Sequence, residues 1–71
     1  MTKVDMRFRL QSPLSEAQRG RLAETRSVYG VLDFHLDESD GVLVVEYDAT
    51  RLRPEEVVGI LHRAGLPALQ E

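Results

Sequence analysis

The chain has 71 residues, with 12 acidic against 9 basic side chains, a formal net charge of −3 and no cysteine. The acidic balance argues against nucleic acid as a partner, and the missing thiols exclude disulfide staples and thiolate-held metals. No run of about 20 apolar residues occurs, so membrane insertion is not expected, and the segment after Met1 lacks the apolar stretch of a signal peptide, which makes the cytoplasm the expected location.

Val4, Met6, Phe8 and Leu10 alternate with Asp5, Arg7, Arg9 and Gln11, the period of a half-buried strand. Ser12-Pro13 breaks the alternation, and proline at a first helical position predicts a helix from Pro13 to about residue 28. This is the weakest element. Leu14, Ala17, Leu22, Thr25 and Val28 make an imperfect apolar stripe, and Gly20 costs about 1 kcal/mol relative to alanine, so the helix needs a sheet beneath it.

Gly30 ends that helix. Leu32, Phe34 and Leu36 then alternate with Asp33, His35 and Asp37 as a second half-buried strand, and Asp40-Gly41 is a hairpin turn. The third strand runs from Val42 to Asp48, with Leu43, Val45 and Tyr47 toward the core and Val44 and Glu46 outward. Pro54-Glu55-Glu56 opens a second helix with proline first and acids in the first turn. Val57, Val58, Ile60, Leu61 and Ala64 form its apolar stripe, His62 and Arg63 fill its last turn, and Gly65 stops it. Leu66 to Leu69 is a short fourth strand.

The order βαββαβ in one domain, residues 1–71, predicts an α+β, ferredoxin-like two-layer sandwich. Its four-stranded antiparallel sheet carries both helices on one face, and the first strand lies centrally beside the third.

The stretch from Gly30-Val31 through Asp40-Gly41, Leu43, Val45, Tyr47 and Asp48, and on through Pro54-Glu55-Glu56-Val57 to Ala64-Gly65, resembles the heavy-metal-associated domain of copper chaperones and P-type ATPase N-terminal regions. The resemblance implies that same sandwich and a setting in metal homeostasis. In that family a Met-Thr-Cys-x-x-Cys loop joins the first strand to the first helix. Counting back from Gly30, Leu14 and Ala17 stand at the two cysteine positions, and Leu66 stands where an aromatic residue or lysine often lies near the metal. Neither Leu14 nor Ala17 binds a soft metal, so Cu(I) is not expected as a cofactor and the family's metal function is not carried over.

Three groups of residues remain as candidate sites. Asp33, His35 and Asp37 share one strand face and are candidate ligands for a harder divalent ion such as Zn(II), Ni(II) or Cu(II). Neighbours on that face stand about 6.7 Å apart, whereas zinc ligands converge to about 2.0–2.2 Å of one ion, so a plain solvated face is the simpler expectation. His62 lies on the helical layer and cannot complete the site. Arg7 and Arg9, with Asp5, occupy the open face of the first strand with Glu46 as a cross-strand partner, either as a solvated face or as a docking face for an anionic partner. Pro13, Leu14, Ala17, Leu66 and Pro67 gather at one tip if the family geometry applies; the tip either packs closed or offers a small apolar contact to another protein or a second copy.

Other uses of the fold find less support. An RNA-binding sheet exposes aromatics on its central strands, but Phe8 and Tyr47 fall on the core side of the alternation. An acylphosphatase relies on an asparagine beside its arginine, and this chain has none. Ser12, Ser15, Ser27 and Ser39 have no histidine with an orienting acid nearby, so catalysis is not expected. The reading is a small binding or regulatory module without a soft-metal site, contacting a protein partner or itself. The alternatives are a divalent-metal protein built on His35 and an ACT-like ligand-sensing dimer.

Overall fold

Residues 2–70 are described by the structure, a computed structural model. Alternation makes Lys3–Leu10 a strand, β1, whose Met6 and Phe8 are buried while Asp5, Arg7 and Arg9 stay exposed. After it come α1 (Glu16–Glu24), a 3-10 turn (Thr25–Ser27), β2 (Val31–Asp37), β3 (Val42–Asp48), α2 (Pro54–Arg63) and β4 (Ala68–Gln70). The strands form one antiparallel sheet in the order β2-β3-β1-β4, with β1 central as expected. Leu22 from α1 and Val57, Ile60 and Leu61 from α2 pack with Phe8, Leu43, Val45 and Tyr47 in one core on one side of the sheet.

The first helix is shorter than its sequence pattern predicts. It begins at Glu16, capped by Ser15 rather than Ser12. The Gln18 amide N–H donates to Ser15 Oγ at 3.1 Å, and the Ser15 N–H donates to Gln18 Oε1 at 2.7 Å. This reciprocal pair satisfies donors that an uncapped first turn leaves orphaned, and Pro13 stays outside the helix. At the other end the Thr25 hydroxyl donates to the Leu22 carbonyl at 2.6 Å and the chain tightens into the 3-10 turn. Only Leu22 of the nine residues in α1 is buried, so this helix is held mainly by what flanks it.

Two further expectations are corrected. Leu32 does not share the core face with Phe34 and Leu36. The register slips between Val31 and Asp33, which turns Val31 inward at 9% exposure and leaves Leu32 outward at 37%. The fourth strand starts at Ala68 rather than Leu66, because Pro67 has no N–H to give the ladder and only its carbonyl is used, accepting from the Gln11 N–H at 2.8 Å.

At the opposite end of the sheet, Asp48 is a carboxylate with 1% of its surface exposed. It accepts from the Thr50 hydroxyl at 2.7 Å, the Thr50 N–H at 3.0 Å, the Thr2 N–H at 3.2 Å and Arg51 Nε at 3.0 Å. The Thr50 hydroxyl and amide are the main reason its carboxyl lies below the usual carboxylate range. Arg51 in turn stacks on the ring of Tyr29, 4.2 Å from its centroid. Gly30 fits tightly beside this loop: its φ is 101°, and a Cβ there would lie 2.8 Å from Leu52 Cγ.

Gly30→Ala should lose about 2 kcal/mol, roughly 10 °C in Tm, through backbone strain and the Leu52 clash. Gly20→Ala, in the helix with nothing within 4 Å of the added carbon, should instead gain up to about 1 kcal/mol. Because the folded-state pKa of Asp48 is lowered, its contribution is complete above the unfolded value of about 3.9 and is lost as pH falls through the folded value. Asp48→Asn should therefore melt below the wild type at about pH 7, with the gap closing toward about pH 3.

Candidate functional site

The turns after β1, β2 and α2 meet at one end of the sheet. Gln11 N–H donates to the Pro67 carbonyl and Leu10 N–H to the Gly41 carbonyl, each at 2.8 Å. Gln18 Nε2 donates to the Gly65 carbonyl at 3.3 Å, and Arg21 Nε to the Ala64 carbonyl at 2.6 Å. These bonds satisfy carbonyls that the end of α2 leaves without helical partners. Arg19 on α1 forms an ion pair with Glu38 of the β2–β3 turn.

The five residues expected at this tip separate by depth. Leu14 and Leu66 are 6% and 5% exposed and belong to the core, whereas Pro13 and Ala17 are exposed and Pro67 is half-buried. Side chains turned inward leave the tip surface to backbone, Pro13, Ala17 and the polar Ser12, Glu38 and Asp40. Sequence reasoning missed Gln18 and Arg21, which fasten α1 to the end of α2. The Ser15-x-x-Gln18 spacing is a capping-box signal and marks Gln18; no local pattern marks Arg21.

The other face of the sheet carries no helix and presents the alternate side chains. Arg9, Val42 and Asp37 lie in one row across β1, β3 and β2; Arg7, Val44 and His35 form the next; Asp5, Glu46 and Asp33 form a third. Glu46 sits between Lys3, whose Nζ is 2.8 Å away, and the imidazole of His35, to which it bonds through Nε2. Lys3 first and His35 second hold the Glu46 carboxyl below its usual range, and Glu46 raises the ammonium of Lys3 in return. The cation on Glu46 is thus Lys3, with Asp5 directly opposite it in the ladder.

Asp33, His35 and Asp37 share a face but do not converge. Asp33 accepts from the Phe34 N–H at 2.8 Å and pairs with Arg26; the backbone bond is the chief cause of its lowered pKa. Asp37 accepts from the Ser39 hydroxyl at 2.8 Å and the Asp40 N–H at 3.1 Å, which lower its pKa in that order of importance. His35 is engaged by Glu46. Among the described residues no group of three or more histidines and carboxylates is arranged to hold a metal ion. His62 is exposed on α2.

No family model and no curated protein matches the sequence. Solved structures do match. The apo HMA domain of a copper chaperone for superoxide dismutase is 21% identical at a TM-score of 0.77, over 99% of this chain and 68% of that one. The copper(I)-loaded first domain of the human copper chaperone for SOD1 is 21% identical at 0.76, over 100% of this chain and 96% of that one. Oxidized MerP from Ralstonia metallidurans CH34 is 14% identical at 0.78, over 99% of each. At such identities the likeness is one of fold: this chain has the heavy-metal-associated form of the ferredoxin-like sandwich, and it has no cysteine.

Proposed function

We propose that the chain is a small binding or regulatory module of metal homeostasis that has the heavy-metal-associated fold without its soft-metal site and acts by contacting a protein. The observation that carries this reading is the fate of Leu14. It stands at the position the resemblance assigns to the first thiolate, and its side chain is packed into the core at 6% exposure. Ala17, at the second position, supplies no donor atom. Fold alone does not transmit chemistry, so the copper-chaperone domains and MerP, of like architecture, support the setting and not the activity.

Binding rather than catalysis is favoured by the lack of a nucleophile–base pair in the hydrogen-bond pattern of the described serines: Ser15 caps a helix, Ser27 bonds the Glu24 carbonyl and Ser39 bonds Asp37. No helix among the described residues is long and apolar enough to cross a membrane. In this reading the cytoplasm is where the module works, and the charged open face bearing Arg7 and Arg9 is its contact surface. The tip contributes only Pro13, Ala17 and Pro67 to such a contact, because Leu14 and Leu66 are spent on the core.

Two titrations test the metal side of the proposal. In competition with a chromogenic Cu(I) chelator, the wild type should withdraw no copper; uptake by the wild type would end the reading. Zn(II), Ni(II) or Cu(II) added to about one equivalent should leave the His35 imidazole resonances unmoved, since its ring is held by Glu46 and neighbouring carboxylates have other partners. A shift or broadening confined to His35, Asp33 and Asp37 would revive the divalent-ion alternative.

A further inference from the structure

The two helices do not close on each other along their whole length. After Glu24 the first helix gives way to the 3-10 turn, and an open cleft of about 330 Å³ lies between Glu24, Thr25 and Val28 on one side and Ile60 and Arg63 on the other. Ile60 is 8% exposed and Val28 half-buried, so the floor of the cleft is apolar. Clefts of this size between helices are places where proteins hold small ligands, on an apolar lining with a few placed polar groups.

The charges around the cleft are unevenly matched. Arg19, Arg26 and Arg51 each meet a carboxylate, in a chain whose acids outnumber its bases. Arg63 meets none among the described residues, and no hydrogen bond engages its guanidinium. An arginine in a last turn ordinarily serves the carbonyls at the end of its own helix. In this chain Arg21 does so from the neighbouring helix, donating to the Ala64 carbonyl at 2.6 Å. Arg63 instead folds back by one turn, with Nη1 3.2 Å from the place a Cβ on Gly59 would take. The glycine leaves the guanidinium room to lie against the helix. Arg21, Arg63 and Glu24 line the cleft together, which leaves it with one positive charge in excess.

We propose that this cleft binds an amphipathic monocarboxylate, an organic acid with a short apolar tail, whose carboxylate is received by Arg63 and whose tail lies on Val28 and Ile60. The inference is independent of the protein-contact reading. One negative charge balances the cleft, whereas a cation adds to its excess and a dianion reverses it. A guanidinium offers parallel N–H donors to a carboxylate, and the unengaged Arg63 has all of its donors to give. The cleft is open to water on one side, so affinity is modest, with dissociation on the order of 1–10 mM for a six-carbon acid.

Hexanoate titrated into the purified, isotope-labelled chain from about 0.5 to about 30 mM, at constant pH and ionic strength, spans that range and is followed by amide NMR shifts. Saturable shifts at Thr25, Val28, Ile60, Arg63 and Ala64 are the expected result. Hexanamide, which has the shape without the charge, should bind at least about fivefold more weakly, and acetate, which has the charge without the tail, at least about tenfold more weakly. Arg63→Gln should weaken hexanoate at least about fivefold, and Glu24→Gln, which removes the opposing charge, should tighten it about twofold. Shifts that stay linear to about 30 mM, or that saturate on another surface, overturn the proposal. So does hexanamide or acetate binding as tightly as hexanoate, an Arg63→Gln variant that binds it unchanged, or a Glu24→Gln variant that binds it less well. The comparison of three ligands on the wild type decides even if a variant fails to fold.

Discussion

Phe8, Leu43, Val45, Val57 and Leu61, none more than 1% exposed, form the contact between sheet and helices on which the rest of the molecule depends. Burying such side chains contributes about 1.5–3 kcal/mol each, and a chain of this length without disulfides has little else to draw on. The contact is lopsided. The second helix presents Val57, Ile60 and Leu61 to the sheet, whereas the first presents Leu22 alone. Leu14, just before the first helix, and Leu66, just after the second, complete the cover that the helices by themselves leave open.

That requirement gives a physical account of the tip. A thiolate pair for a soft ion has to stand at the surface with its sulfur atoms converging. Leu14, which the resemblance sets at the first of those positions, is committed to the interior, and the segments around it are tied by Gln11 to Pro67, Gln18 to Gly65 and Arg21 to Ala64. A leucine in the core and a fastened loop favour one closed arrangement.

Opposite the core, charge replaces apolar packing as the organising influence. Lys3, Glu46 and His35 form a chain of contacts across β1, β3 and β2, and Arg26 reaches from the 3-10 turn to Asp33 at the sheet edge. Exposed pairs of this kind contribute little to stability, so their value lies in shaping the field of the face. The Phe34 N–H at the edge strand is taken up by the Asp33 carboxylate, and the register slip beside it interrupts the ladder. Both features discourage pairing of another strand along that edge and leave the face itself as the surface open to contact.

The order of elements, the core parity of β1 and β3, the second helix and the missing thiolates were all legible in the amino-acid sequence, because each is a local pattern: period two, period 3.6, Asp-Gly, Pro-Glu-Glu, and a residue type that is simply absent. The first helix was misjudged because its stripe is faint and two serines competed to cap it. The bond pair between Ser15 and Gln18 decided for the second. Leu32 was misplaced because a one-residue slip reverses the facing of a strand without leaving a trace in the alternation. Likewise the Asp33, His35 and Asp37 triad shares a face by sequence, but which partner each side chain takes depends on Arg26, Glu46 and Ser39 arriving from elsewhere. Local pattern sets which face of an element is apolar; only tertiary packing decides how deep a given side chain goes, and Leu14 went to the core because two short helices could not cover the sheet without it.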